Sequence, residues 1–250
     1  MRLLIANWKM QIGSQAEAVK LAKASDGANV IVCPSFMWLP AVCKVLKKAK
    51  TGAQDMFWEE AGAYTGETSG AQLLALGVSH VILGHSERRA LGETDEVVAK
   101  KVAAALEQRI TPIICIGESA ADRDGGRTRE VIDRQLRGAL SLIPADFGNS
   151  QPLVYIAYEP VWAISSHHLS PGGSATPEDV AGVIHYMQGI IRGVPITPQF
   201  LYGGSVDEKT LGGFLARPEI KGALVGAAST RPAEFKKMIA LAKATEETMH

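Results

Sequence analysis

Short apolar or β-branched runs recur along the whole 250-residue chain, at Leu3–Ala6, Val30–Cys33, Thr51–Gln54, Val81–Leu83, Ile113–Ile116, Leu153–Ala157, Gln199–Tyr202 and Ala223–Val225. Several are continuously apolar, the pattern of parallel strands covered on both faces, whereas half-exposed antiparallel strands alternate. The stretches between them carry a helical period. Thr176 and Pro177 read as an N-cap and first helical residue, Glu178 and Asp179 suit the positive end of the dipole, and Val180, Ile184, Met187 and Ile191 form one stripe. Ile132, Leu136, Ala139 and Leu140 repeat that spacing, as do Phe235, Ile239 and Ala242. Thr94, Asp95 and Glu96 open a further helix whose inner face is Val98, Val102 and Leu106, and a short first helix spans Ser14 to Ser25.

Eight strand-helix alternations in a chain of this length predict a closed (β/α)8 barrel, although an open doubly wound α/β sheet has the same alternation. The third strand carries the weakest pattern. No stretch reads as a linker, and the Gly- and Ser-rich segments fall at strand ends, so residues 1–250 are expected to form a single barrel domain.

Composition narrows the function classes. Twenty-six basic residues balance twenty-six acidic ones. This leaves no electrostatic footprint for nucleic acid or an anionic membrane, while a local phosphate-sized pocket stays open. Asn7, Trp8 and Lys9 interrupt the N-terminal apolar run before a signal core is complete, and no run approaches membrane-spanning length. Cys33, Cys43 and Cys115 lack metal-ligand spacing, which fits a reducing cytoplasm. His167 and His168 resemble a metal clip only superficially, since adjacent side chains give no fixed chelate; a solvated loop is the expectation and no metal site is assigned.

In a barrel, polar residues at the C-terminal ends of strands face the catalytic mouth. That rule selects Asn7 and Lys9 after the first strand, Gly84, His85, Ser86 and Glu87 after the fourth, Tyr158 and Glu159 after the sixth, and Gly203, Gly204, Ser205 and Gly226 after the last two. An acid, an imidazole and an ammonium suit proton transfer next to a carbonyl: a carboxylate removes a carbon-bound proton, a donor polarises the oxygen and a cation steadies the charge. Gly-rich turns after strands seven and eight are the recurring phosphate-binding place of this architecture. Gly203 and Gly204 also suit a plain tight turn.

An ordered series of segments carries a resemblance over nearly the whole chain: Asn7-Trp8-Lys9-Met10, Gly62-Ala63-Tyr64-Thr65-Gly66-Glu67, Gly84-His85-Ser86-Glu87-Arg88-Arg89, Cys115-Ile116-Gly117-Glu118, Ala157-Tyr158-Glu159-Pro160-Val161-Trp162-Ala163-Ile164 and Tyr202-Gly203-Gly204-Ser205-Val206. The chain resembles the triose phosphate isomerase family. The resemblance implies a cofactor- and metal-free isomerase of glycolysis and gluconeogenesis that interconverts dihydroxyacetone phosphate and D-glyceraldehyde 3-phosphate through an enediolate. It implies Glu159 as carbon base, His85 as electrophile and proton shuttle, Lys9 as positive charge and Asn7 as hydrogen-bond donor to the reacting oxygens. Glu87, Cys115 and Glu118 become supports, the last paired with a basic residue. Ser165, Ser205, Gly226 and Ala227 hold phosphate through backbone N–H groups, and Thr65 reaches into a neighbouring subunit of a homodimer. That family is itself the standing example of an imidazole kept neutral by a helix N-terminus, so this neutrality is carried by the resemblance. For Met56, Phe57 and Trp58, interface and core packing both remain open.

Departures from the family pattern concentrate around the lid. A short Gly-Thr-Gly segment normally follows Trp162-Ala163-Ile164; here Ser165 to Gly173 intervene, a lid lengthened by about five residues. Ala227 replaces a second glycine, which is strained if that position needs a positive φ. The altered lid keeps open an isomerase of a related tetrulose phosphate; a catalytically weakened phosphate-binding paralogue is a third reading, opposed by the intact Asn7, Lys9, His85 and Glu159.

Overall fold

The computed structural model describes residues 2–144, 147, 150–164 and 175–247. Eight parallel strands close on themselves in sequence order: β1 (Leu3–Asn7), β2 (Val30–Cys33), β3 (Lys50–Ala53), β4 (His80–Leu83), β5 (Thr111–Ile116), β6 (Leu153–Tyr158), β7 (Thr197–Tyr202) and β8 (Gly222–Val225). Closure is carried by β1 against β8, with Leu3 to Ala6 in register with Gly222 to Val225. The open doubly wound sheet is thereby excluded. Each apolar run of the sequence falls on a strand, offset by at most two residues at either end.

The continuous hydrophobicity of the strands has a direct structural cause. In β1, Ile5 points into the barrel interior with Ile31, Ile82, Ile113, Leu201 and Leu224, while its neighbours Leu4 and Ala6 pack outward beneath the helices. Both faces are covered, so polar alternation has no place. The weak third strand is explained in the same way: a Cβ at Gly52 would stand 2.6 Å from the Cys33 Sγ. Close approach of neighbouring strands selects glycine here at the expense of strand propensity.

The helices obey their stripes. Val98, Val102 and Leu106 of Asp95–Glu107, and Val180, Ile184 and Met187 of Pro177–Ile190, are buried against the barrel. Their starts are capped as their sequences predict: Thr94 accepts from the Val97 amide, and Thr176 and Asp179 form a reciprocal capping box. Ser14 and Ser25 flank the short first helix, Gln15–Ala24. No helix among the described residues is long and apolar enough to cross a membrane. After β3, Met56 and Phe57 are buried in the chain's own core, which decides their packing, whereas Ala61 to Glu67 are exposed.

Candidate active site

The C-terminal ends of the strands surround one cavity of about 540 Å³, and Asn7, Lys9, His85, Glu159, Ser205 and Gly226 all line it. Residues spread over more than two hundred positions of sequence are thus brought to one mouth.

At the end of β1 the chain bends sharply. Lys9 has φ 51°, a left-handed conformation unusual for a residue with a side chain. Its surroundings over-determine that backbone. The Asn7 Oδ1 accepts from the Lys9 amide at 3.1 Å, while Ser35 Oγ and Gln54 Nε2 each donate to the Lys9 carbonyl at 2.9 Å. Strain held in place by several partners is characteristic of functional loops. The result aims the Lys9 ammonium across the mouth to Glu87 Oε1, 2.6 Å away. Gln54, which also bonds the Cys33 carbonyl, escaped the sequence reading because a strand-end glutamine has no distinguishing signal.

After β4, His85 serves as N-cap of the helical turn Ser86–Ala90. The Glu87 amide donates to His85 Nδ1 at 3.2 Å, so Nδ1 serves as the acceptor nitrogen and Nε2 is the ring nitrogen left to donate. Nε2 faces Glu159 Oε1 at 3.2 Å. The Ser86 amide donates to the other carboxylate oxygen, again at 3.2 Å. A helix N-terminus therefore meets both candidate proton carriers.

Glu159 continues β6 by one ladder bond, from its amide to the Ile116 carbonyl at 2.7 Å. It is buried among close backbones. A Cβ at Gly117 would collide with the Glu159 carbonyl oxygen, and one at Gly203 would lie 2.6 Å from the Glu159 Cγ. Behind it, the Cys115 thiol is buried in the barrel interior; burial, and then the Glu159 carboxylate, push its pKa well above the ordinary thiol value, so it stays protonated. Cys33, Cys43 and Cys115 are all free thiols.

Glu118 departs from expectation. In place of a basic partner, this buried carboxylate accepts from the Tyr158 hydroxyl at 3.0 Å and from the Trp162 indole at 2.8 Å. The nearby cation, Arg123, instead stacks on the Trp162 ring at 3.6 Å. The triad braces the turn Val161–Ala163 after Glu159. Neutral donors satisfy the carboxylate without burying a second charge.

The anion-holding side is built from two turns. The Ser205 amide donates to the Ala163 carbonyl at 3.2 Å, so phosphate binding there requires an exchange of partners. Gly226 lies beside Lys9, 3.5 Å from Cε to a Cβ built on it. Ala227 opens the turn Ala227–Thr230, and the non-glycine residues with positive φ among those described are Lys9 and Arg109, so the alanine carries no such strain. Ser165, His167, His168 and the rest of the lengthened lid, Ser165 to Ser174, lie outside the described residues. Gln11, Asp207 and Arg231 also line the mouth without having been singled out by sequence.

A buried ionic cluster stands beside the site. Lys101 Nζ binds Asp55 at 2.7 Å and Glu93 at 2.5 Å, and Arg88 Nε binds Asp55 at 2.9 Å. It ties the segment after β3 to the turn that carries His85. Burial, only partly offset by Lys101, raises the Asp55 carboxyl above its ordinary value.

Comparison with known proteins agrees with this geometry. The triosephosphate isomerase family model matches residues 2–242. The triosephosphate isomerase of Citrifermentans bemidjiense is 41% identical, the match covering 95% of this chain and 97% of that protein. Those of Caldanaerobacter subterraneus subsp. tengcongensis and Moorella thermoacetica are 41% and 40% identical over the same share of this chain, covering 98% and 97% of their own lengths. The chain belongs to the triosephosphate isomerase family. Of the segments quoted from the sequence, those around Asn7, His85, Glu159 and Gly203 to Val206 contribute residues to the mouth, whereas Gly62–Glu67 is exposed and Cys115 and Gly117 line a smaller cavity behind Glu159.

Proposed function

We propose that this chain is an aldose–ketose isomerase interconverting dihydroxyacetone phosphate and D-glyceraldehyde 3-phosphate, with Glu159 as the base. The carrying observation is the 3.2 Å approach of His85 Nε2 to Glu159 Oε1 in a mouth that also holds Lys9. Glu159 removes a proton from the carbon beside the carbonyl. The neutral His85 Nε2–H donates to the carbonyl oxygen and then passes a proton between the two oxygens of the enediolate. Lys9 and Asn7 steady the developing negative charge, in a site where burial strengthens such interactions. Glu87 holds the Lys9 ammonium, and Glu118 and Cys115 brace the base from behind. Ser205, Gly226, Ala227 and, by family position, Ser165 supply backbone N–H groups to the phosphate.

A coupled assay with purified protein and each triose phosphate tests the reaction directly, and absent turnover overturns it. The lengthened lid favours one second reading, a preference for a tetrulose phosphate; kcat/KM for that substrate above the triose value decides for it. The intact quartet of Asn7, Lys9, His85 and Glu159 argues against a weakened paralogue. The free thiols, two of them buried, support a reducing, cytoplasmic setting.

A homodimer is part of the same reading. Exposed apolar side chains follow four consecutive strands: Met10 after β1, Met37 after β2, Tyr64 after β3 and Leu91 after β4, with Thr65 at the exposed loop among them. Grouped exposed apolar surface marks an interface. Thr65→Arg is expected to shift the sedimentation profile from dimer to monomer; a monomeric wild-type protein removes the assignment.

A further inference from the structure

Behind Glu159 lies a second, smaller cavity of about 180 Å³, between the ends of β4 and β5 and the helices Ser86–Ala90 and Thr128–Leu140. Glu159 is the residue common to its wall and to the wall of the main mouth. Two buried donors on this wall have no partner among the described residues: Ser86 Oγ and Arg89 Nη2. Ser86 is only 8% exposed, and its own amide already bonds Glu159 Oε2. Arg89 has used its other nitrogens, Nε on the Gly84 carbonyl at 2.8 Å and Nη1 on Asp95 at 2.6 Å. Elsewhere on the wall the polar groups satisfy one another, Ser119 with Asp122 and Gln135 with Gly117. The unmet hydrogen-bonding capacity is therefore concentrated beside the carboxylate.

A buried donor without an acceptor is costly, and a cavity of this size, mostly apolar but carrying these two donors on its wall, has room for a few water molecules. Water can accept from Arg89 and exchange hydrogen bonds with the Ser86 hydroxyl. The neighbouring Glu159 and Asp122 carboxylates disfavour an anion in the same place. Ala90 and Arg134, also on the wall, are solvent-exposed, so the cavity communicates with the surface. We propose that it is a water-filled side passage to Glu159, through which the proton taken up by that carboxylate exchanges with solvent independently of the substrate mouth. The step is balanced: the carboxyl O–H proton passes to a water held by Ser86 as that water returns one of its own, so only the isotope changes.

The proposal rests on Glu159 being the base, and its test separates the two. Ala90→Trp plugs the outer end from an exposed position and Val131→Leu fills the cavity from the opposite helix. Isomerisation is run in D₂O, and NMR reads the fraction of product carrying deuterium at the carbon that receives the proton. Each plugged variant is expected to keep kcat/KM while the deuterated fraction falls about threefold. A deuterated fraction unchanged from wild type in the folded variants overturns the passage, whether or not kcat/KM falls. Full turnover by Glu159→Gln would instead sink the assignment of the base, whatever the plugged variants do.

Discussion

Strand β4 carries a buried histidine near each end, and the two have opposite fates. His80 begins the strand at the floor of the barrel; His85 follows it at the mouth. The His80 Nδ1 is 2.8 Å from the Ser79 hydroxyl, and burial, aided by the Lys50 charge, pushes its imidazole down to about 3. His85 meets a helix N-terminal amide on one nitrogen and a carboxylate on the other. The two non-glycine residues with positive φ among those described divide likewise: Lys9 stands at the mouth, held by Asn7, Ser35 and Gln54, and Arg109 stands at the floor just before β5. For the histidines, residue type and burial are the same at both ends. Chemistry belongs to the end where backbone amides and charged partners converge.

Several substitutions sharpen or break that contrast. Glu159→Asp withdraws the carboxylate by about one methylene and is expected to cut kcat on the order of 10²–10⁴-fold with little change in KM. Steady-state kinetics near wild type would remove Glu159 from its role. His85→Gln should lose a comparable factor, about 10²-fold or more, whereas His80→Gln should leave kcat within about twofold. An equal loss from both would erase the distinction between the two ends.

The floor histidine should appear in stability. Because its folded value lies near 3 against an ordinary 6.5, the unfolded chain binds a proton between those values that the native state refuses. Stability is then complete above about pH 6.5 and falls as pH drops toward 3, by on the order of 4 kcal/mol. Urea midpoints at pH 7 and pH 4 measure the slope, which His80→Phe should flatten; an unaltered slope refutes the attribution. The smallest effects concern strain. Arg109→Gly and Lys9→Gly should each stabilise the backbone by about 0.5–1 kcal/mol, as read from Tm, but only the second should abolish turnover.

The fold was legible because barrel strands are apolar on both faces and their helices are striped on one. The residues gathered at the mouth were legible because strand ends select few of them, and the roles proposed for them come from the family resemblance. Less was legible where side chains meet across the chain. The clamp of Gln54 on Lys9, the Asp55–Lys101–Glu93–Arg88 cluster and the Tyr158 and Trp162 donors on Glu118 join residues with no periodic relation in sequence. The backbone angle of Lys9 is equally invisible, since lysine does not advertise a left-handed turn.

Gly203 holds an implication for how this protein can change. With a Cβ there only 2.6 Å from the Glu159 Cγ, even a methyl group would press on the carboxylate arm. An alanine at 203 should fold, since a barrel of this size absorbs one local displacement, yet leave the Glu159 carboxylate misaimed. Evolution and laboratory libraries alike would meet a position that tolerates variation in expression screens and forbids it in growth selections.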